Sequence, residues 1–185
     1  RIFRFADFSF ADLKDVELSG EFLSGINLNH ADLSGATLDE TDLSRADLSG
    51  TDLSDAVFAR ANLKEARFRQ TILTNAYFES ADLTQANFSG ASMQSANLAG
   101  AKLRQARFSH ADLSGANFYG ANMEQAGLDQ ARLDSAVVGD YHWLTQVSGA
   151  GQDSIRGLNY VRATYQVDSV WKASRLQFML IKKTQ

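Results

Sequence analysis

Residues 31–70 read ADLSG ATLDE TDLSR ADLSG TDLSD AVFAR ANLKE ARFRQ, and this five-residue pattern continues without an insertion in both directions. From Phe3 to Val138 every fifth residue is large and apolar, and the residue two places before it is usually alanine. A period of five matches neither the 3.6-residue period of a helix nor the two-residue period of a strand. The pattern therefore predicts a repeat architecture.

Each repeat has one large and one small apolar position, and both are predicted to point inward. The large position, which we call the centre, holds 17 Leu, eight Phe, two Met and one Val. The small position holds Ala in 21 repeats and Thr in three, and it departs from both at Arg1, Val16, Glu21 and Ile26. The other three positions are mostly polar and are predicted to face outward.

This pattern resembles the pentapeptide repeat, A-(D/N)-L-x-x, over about residues 1–140. The resemblance implies an all-β fold, a right-handed quadrilateral β-helix with one pentapeptide per face and four faces per coil. The 28 repeats would form about seven coils. At a strand spacing of about 4.8 Å, the rod would be about 34 Å long.

The distribution of phenylalanine supports a coil of four repeats. Beyond the first coil, the Phe centres fall on two opposite faces, with Phe58, Phe78 and Phe118 on one and Phe68, Phe88 and Phe108 on the other. Leu and Met alone fill the centres of the remaining two faces. Rings on opposite faces with smaller side chains between them would fill a narrow square core, and alanine would prevent overpacking.

Composition limits the classes of function. The chain has no Cys, hence no disulfide, no Cys-ligated metal and no thiol nucleophile, and it has no Pro, which suits a stacked ladder. No apolar run reaches membrane-spanning length. The chain begins at Arg1, so a missing signal peptide says nothing about the compartment, for which the cytoplasm is the default expectation.

Charge is unevenly distributed along the chain. Residues 1–57 hold 12 acidic and 4 basic residues, residues 58–140 hold eight of each, and residues 141–185 hold two acidic and six basic residues. The molecule should therefore be acidic towards its N-terminal end and basic towards the other.

The N-terminal repeats are irregular. Glu21 falls at an inward position, where an unpaired carboxylate is costly, so we expect a local bulge near residues 20–26 that carries it outward. Phe5, Phe10 and Phe22 fall at outward positions. They either pack against a cap that protects the open end of the β-helix or form an exposed apolar patch that binds a partner.

Residues 141–185 lie outside the repeat and form a second segment. Alternation of apolar and polar residues from Val161 to Val167 predicts a strand, whereas Leu176 to Ile181 fits a strand or a helical turn. We expect this segment to cap the last coil with Trp143 and Trp171. The alternative is a homodimer interface, with aromatic residues such as Phe178 as anchors, and both can hold at once.

No catalytic, cofactor or metal site is predicted. His30 and His110 share a face but lie four coils apart, about 19 Å, which is too far to share a metal ion. Serine, aspartate and glycine follow the repeat, without a nucleophile elbow or a phosphate loop. A filled solenoid has no interior pocket, so the sequence predicts a protein that is not an enzyme.

Outward rows of carboxylates form the candidate interaction surface. Asp12, Asp32 and Asp52 are predicted to stack on one face, and Asp42 and Asp82 are predicted to line another with Asn62 between them. One explanation is that they hydrogen-bond the backbone at the corners. The other is that an acidic row attracts a basic partner.

These features favour a non-enzymatic interaction or scaffold module, whose protein partner the sequence does not identify. The alternative comes from the resemblance: some pentapeptide-repeat proteins imitate duplex DNA and bind DNA gyrase. A DNA mimic should be acidic along most of its length, because duplex DNA carries a charge about every 1.7 Å. Direct nucleic-acid binding is not expected, since no basic stripe with interleaved aromatics follows the rod.

Overall fold

The computed structural model describes residues 5–138, 165–172 and 175–182. Residues 5–138 wind into a helix of parallel β-bridges, each joining residues four repeats apart, from Asp7–Asn27 to Asn117–Val137. The bridge residue is the second of every pentapeptide, so each turn of four pentapeptides has four faces. We number the faces by their first bridge residue: face 1 begins at Asp7, face 2 at Asp12, face 3 at Glu17 and face 4 at Phe22.

Backbone hydrogen bonds join each turn to the next on every face. The Leu33 N–H donates to the Asp52 carbonyl at 2.8 Å, and the Asp32 N–H donates to the Ala11 carbonyl at 2.9 Å. Corners lie at the fifth residue of the repeat, where φ is between 51° and 70° at every position from Phe5 to Ser135. Most of these residues are not glycine, and a left-handed conformation costs each of them about 1 kcal/mol or more. The backbone hydrogen bonds between turns offset this cost.

The core has the arrangement predicted from the phenylalanine pattern. Rings one turn apart stack in parallel, with centroids 4.8 Å apart for Phe58 and Phe78 and 4.6 Å apart for Phe68 and Phe88. Rings on opposite faces meet edge to face, at 6.1 Å for Phe78 and Phe88. From Leu23 to Val138 every centre is buried, with alanine or threonine beside it in most repeats.

Threonine fits the small inward position because it satisfies its own hydroxyl. Thr51 and Thr71 are buried, and each Oγ1 donates at 2.8 Å to the carbonyl oxygen 23 residues earlier, that of Leu28 or Leu48. Thr41 makes the same bond to Leu18 at 2.9 Å. A hydroxyl is therefore accommodated in an otherwise apolar core without an unsatisfied donor.

The bulge expected near residues 20–26 is absent, and that prediction was wrong. The Asp42 N–H donates to the Glu21 carbonyl at 3.0 Å, and Phe22 pairs with Asp42, so the register passes through this segment unchanged. Glu21 is only half-buried, as are Leu13, Val16 and Leu18 before it. Near this end the core is open, and a carboxylate can occupy an inward position without full desolvation.

Two further strands form an antiparallel hairpin: β1 spans Tyr165–Lys172 and β2 spans Arg175–Lys182. Their register pairs Tyr165 with Lys182 and Lys172 with Arg175. The segment from Leu176 to Ile181 is thus a strand and not a helical turn. The predicted strand that begins at Val161 is observed from Tyr165, and residues 161–164 lie outside the described residues.

Candidate functional site

The three aspartates of the predicted acidic row are neighbours on face 2. Asp12 pairs with Asp32, and Asp32 pairs with Asp52. We call these three residues the acidic row. Beyond them the same face continues with residues of mixed character, namely Ile72, Ser92, Asp112 and Arg132. Carboxylates therefore occupy successive turns only at the N-terminal end of this face.

Asp42 and Asp82 lie on face 4, with Asn62 between them as predicted. The Asn62 side-chain amide donates to Asp42 at 2.9 Å. Asp82 lies between two lysines, 3.4 Å from the Lys64 ammonium and 3.8 Å from that of Lys102. Nearby donors and cations thus balance the carboxylates of face 4, and the structure does not join them to the acidic row.

Aspartate at the second position of a repeat is tied to the backbone. Asp32 Oδ1 accepts the Ser34 N–H at 3.1 Å and the Ser34 hydroxyl at 2.7 Å. Asn87 accepts the same two bonds from Ser89, at 3.1 Å and 2.7 Å. Asparagine can therefore replace aspartate here without loss of the turn, and only the charge changes.

Ion pairs neutralise little of the negative charge of the acidic row. Lys14 lies 3.1 Å from Asp32, and no other ion pair involves the row within the part of the chain that the structure describes. Hydrogen bonds from the Ser34 hydroxyl and N–H, followed by that from Lys14, lower the pKa of the Asp32 carboxyl below its ordinary value. Asp32 is therefore ionised at neutral pH.

Asp47, Asp82 and Asp112 also have a lowered pKa. Burial raises the pKa of each carboxyl, but hydrogen bonds from the residue two places later outweigh burial, and a nearby cation contributes further. Because the folded pKa lies below the ordinary 3.8, the unfolded chain binds more protons in acid. Their stabilisation is therefore complete above about pH 4 and is lost as the pH falls through the folded values.

We expect the triple variant Asp47→Asn, Asp82→Asn and Asp112→Asn to flatten this acid dependence. It keeps the acceptor at each turn but cannot titrate, so its free energy of unfolding should be lower than that of the parent at pH 7 and should fall less towards pH 3. Urea unfolding at the two pH values measures the difference. An acid dependence equal to that of the parent would show that these carboxyls do not contribute.

The aromatic residues predicted near the N-terminal end are exposed. Phe5, Phe10 and Phe22 have exposed fractions of 75%, 76% and 59%. Phe10 stacks on His30 with centroids 5.3 Å apart, at the corner between faces 1 and 2. Of the C-terminal candidates, Trp171 lies in β1 and Phe178 in β2, whereas Trp143 lies outside the described residues.

Face 1 carries a groove that the repeat pattern does not predict. It has a volume of about 440 Å³ and runs past Arg69, Ser89, Ser109 and His110, with His30 at its other end. None of the residues that line it is acidic. The signal that could have found it is the fourth position of this face, where Ser49, Ser89 and Ser109 are interrupted by one cation, Arg69.

No group of three metal-ligating side chains is present among the described residues. His30 and His110 lie at opposite ends of the groove. No helix in the described part of the chain has the length and apolar character needed to cross a bilayer.

Several solved structures are similar to this chain. HetL, a pentapeptide repeat protein involved in heterocyst differentiation regulation from the cyanobacterium Nostoc sp. strain PCC 7120, is 21% identical over 76% of this chain and 92% of its own, with a TM-score of 0.42. QnrB1, a plasmid-mediated fluoroquinolone resistance protein, is 18% identical over 74% of this chain and 77% of its own, with a TM-score of 0.47. A pentapeptide repeat protein from the Arabidopsis thaliana thylakoid lumen is 22% identical over 78% and 81%, with a TM-score of 0.45.

A comparison with curated proteins found no match. The family model described as "Pentapeptide repeats" matches in eight copies, which together extend over residues 6–130, more than half of the chain. Pentapeptide-repeat proteins form right-handed quadrilateral β-helices and are generally non-enzymatic structural or interaction modules. The bridges at regular four-repeat intervals and the buried Leu, Phe and Ala of each repeat agree with that match, and the chain belongs to the pentapeptide-repeat family.

Proposed function

We propose that this protein is a non-enzymatic interaction module whose acidic row binds a basic surface of a partner protein. The observation that carries the proposal is the stacking of Asp12, Asp32 and Asp52 on successive turns, with Lys14 as their one ion-pair partner among the described residues. Carboxylates about 4.8 Å apart raise the local negative potential and attract a cationic surface.

The rod holds this row in a fixed geometry before binding. Each carboxylate is anchored by its own turn, and each turn is hydrogen-bonded to the next on four faces. A rod of about seven turns, about 34 Å long, would present the row without the entropy cost of ordering a loop. A preorganised charged surface contributes to specificity and to association rate more than to affinity.

Phe10 supplies an apolar anchor beside the row. It is exposed, lies at the corner that leads into face 2, and is two residues from Asp12. Aromatic anchors surrounded by charged residues are typical of binding hot spots. The partner surface that fits this end is therefore basic, with an apolar pocket at its edge.

The DNA-mimic alternative has less support from the geometry. On face 2 the acidic row gives way to Ile72 and Ser92, and Arg132 lies near the end of the face. On face 4 the residue one turn beyond Asp82 is Lys102, a cation. A mimic of duplex DNA needs carboxylates along most of one face, because the duplex is charged about every 1.7 Å.

The test removes the charge of the row and keeps its turns. The triple variant Asp12→Asn, Asp32→Asn and Asp52→Asn should fold like the parent and bind a hexalysine peptide about tenfold more weakly at low salt. The matched control, Asp42→Asn, Asp47→Asn and Asp82→Asn, removes the same charge from faces 1 and 4 and should bind nearly as the parent does. Isothermal titration calorimetry measures both.

Equal losses in the two triple variants would mean that net charge, and not the acidic row, attracts the peptide. A DNA gyrase supercoiling assay with excess protein distinguishes the DNA-mimic alternative from the proposed function. We expect no inhibition, whereas inhibition that disappears in the Asp12, Asp32 and Asp52 variant would establish the DNA mimic instead.

A further inference from the structure

Two arginines of face 1 differ from all other cations of the β-helix. Residues 5–138 contain ten Lys and Arg residues, and eight of them lie within 4.0 Å of a carboxylate oxygen. Within this range only Arg69 and Arg107 lack an ion pair, and both side chains are exposed. In a protein with net charge −4, two free guanidinium groups on one face require an explanation.

Arg69 lines the groove that contains Ser89 and Ser109, and Arg107 lines the neighbouring groove, which also includes Ser109. Arg69, Ser89 and Ser109 occupy the fourth position of face 1 on successive turns, so they are spaced about 4.8 Å apart. Arg107 is two residues before Ser109 on the same face. A side chain of arginine length can reach the space in front of the serines from either side.

Backbone donors are also free in these two repeats. In most repeats whose second residue is Asp or Asn, its oxygen accepts the N–H of the fourth residue, as Asn87 accepts that of Ser89 at 3.1 Å, and Asn62 is an exception. Arg67 and Arg107 hold the second position before Arg69 and Ser109 and cannot accept a hydrogen bond. Among the residues that the structure describes, no acceptor contacts the N–H of Arg69 or of Ser109.

The Ser109 hydroxyl is free as well. The Ser89 hydroxyl donates to Asn87 Oδ1 at 2.7 Å, whereas within the described residues the Ser109 hydroxyl donates to no acceptor. The groove and its edge thus combine two guanidinium groups, a hydroxyl and two backbone N–H groups. Donors of these kinds recognise oxyanions, and arginine does so with two parallel hydrogen bonds.

We propose that a phosphate-type oxyanion binds at the edge of this groove, between Arg69, which lines it, and Arg107, which lies just outside it, with the Ser109 hydroxyl and N–H as further donors. Among the described residues no carboxylate lines the groove of Arg69, and Asp129 lies in the neighbouring groove. Arg67 is not part of the site, because it is already 3.4 Å from Asp47. The phosphate group is either a free anion or part of a phosphorylated peptide, and both present the same chemistry.

Asp129 provides an internal check of the electrostatics. It lies one turn beyond Ser109 and lines a neighbouring groove together with Arg107. No ion pair joins the two within the described residues. Its charge opposes an anion at Ser109, so Asp129→Asn should strengthen binding.

The test is a titration of the full chain with inorganic phosphate, followed by backbone amide and arginine side-chain NMR. Phosphate should shift the signals of Arg69, Ser89, Ser109 and Arg107, whereas sodium chloride at matched ionic strength should not. Arg69→Gln and Arg107→Gln should each weaken binding by about tenfold, because each removes charge-assisted hydrogen bonds. Arg132→Gln is the matched control, since Arg132 is paired with Asp112 at 3.1 Å on face 2, and it should leave the affinity unchanged.

A second arm uses a phosphoserine hexapeptide with its unphosphorylated form as the control. Tighter binding of the phosphopeptide than of inorganic phosphate would assign the ligand to a protein, and equal binding would assign it to a free anion. The proposal is overturned if phosphate shifts none of the four signals, or if Arg132→Gln weakens binding as much as Arg69→Gln. Thermal unfolding of each variant confirms that it is folded, as expected for exposed side chains.

Discussion

Phe78→Asp is expected to unfold the middle of the rod. Phe78 is fully buried, stacks on Phe58 at 4.8 Å and meets the edges of Phe68 and Phe88 at 6.0 Å and 6.1 Å. The change removes these ring contacts and places a carboxylate among buried apolar side chains. The combined loss is about 5 kcal/mol or more, which is comparable to the whole stability of many domains.

The matched control is Phe78→Leu, because leucine is the commonest centre and occupies the same face at Leu98. We expect this variant to remain folded and to lose about 1–2 kcal/mol from a smaller side chain. Urea unfolding measures both variants, and hydrogen exchange locates the turns that open. An aspartate variant that unfolds like the parent would show that residue 78 does not point inward.

Ala91→Leu is expected to be the second most damaging change. Ala91 is buried and follows Thr51 and Thr71 at successive turns of the same face. Three additional carbons at this small inward position would force neighbouring side chains out of their rotamers, at a cost of about 3 kcal/mol. Turns on both sides should be affected, since each packs directly on its neighbours.

Ala91→Thr tests whether the size of the leucine side chain, and not the loss of alanine as such, causes the damage. Thr51 and Thr71 show that the small inward position accepts a threonine whose hydroxyl donates to the carbonyl 23 residues earlier. At residue 91 that carbonyl belongs to Phe68, so the threonine variant should stay within about 1 kcal/mol of the parent. Urea unfolding ranks the three proteins. A leucine variant as stable as the threonine variant would show that the core has unfilled space beside residue 91.

The inward residues could be predicted because the period fixes them. Once every fifth residue is apolar and a turn holds four repeats, the positions of Phe58, Phe78 and Leu33 in the core follow without knowledge of distant contacts. The same period places Asp12, Asp32 and Asp52 side by side. Glu21 shows where it fails, because the sequence does not say that the N-terminal end of the core is open enough to accept a half-buried carboxylate.

The proposed anion site between Arg69 and Arg107 could not be predicted in the same way. Whether a cation is free depends on which carboxylate its side chain reaches across one turn, as the convergence of Lys64 and Lys102 on Asp82 illustrates. Repeat position alone gives Arg67 and Arg107 the same environment, yet one is paired with Asp47 and the other is not. Whether a surface cation forms an ion pair depends on the residues of three neighbouring turns, whereas whether a side chain is buried depends on its position within one repeat.

The four-sided turn makes the length of an insertion or deletion as important as its composition. Removal of four consecutive pentapeptides shortens the rod by one turn and returns every later side chain to its own face. Removal of a single pentapeptide, such as residues 91–95, keeps every centre inward but rotates all later rows by a quarter turn. Arg107 would then face a different direction from Arg69, although every large apolar residue would still point into the core. Evolution by whole-turn duplication can therefore lengthen this protein while it preserves a binding face, and evolution by single repeats reshuffles the surface.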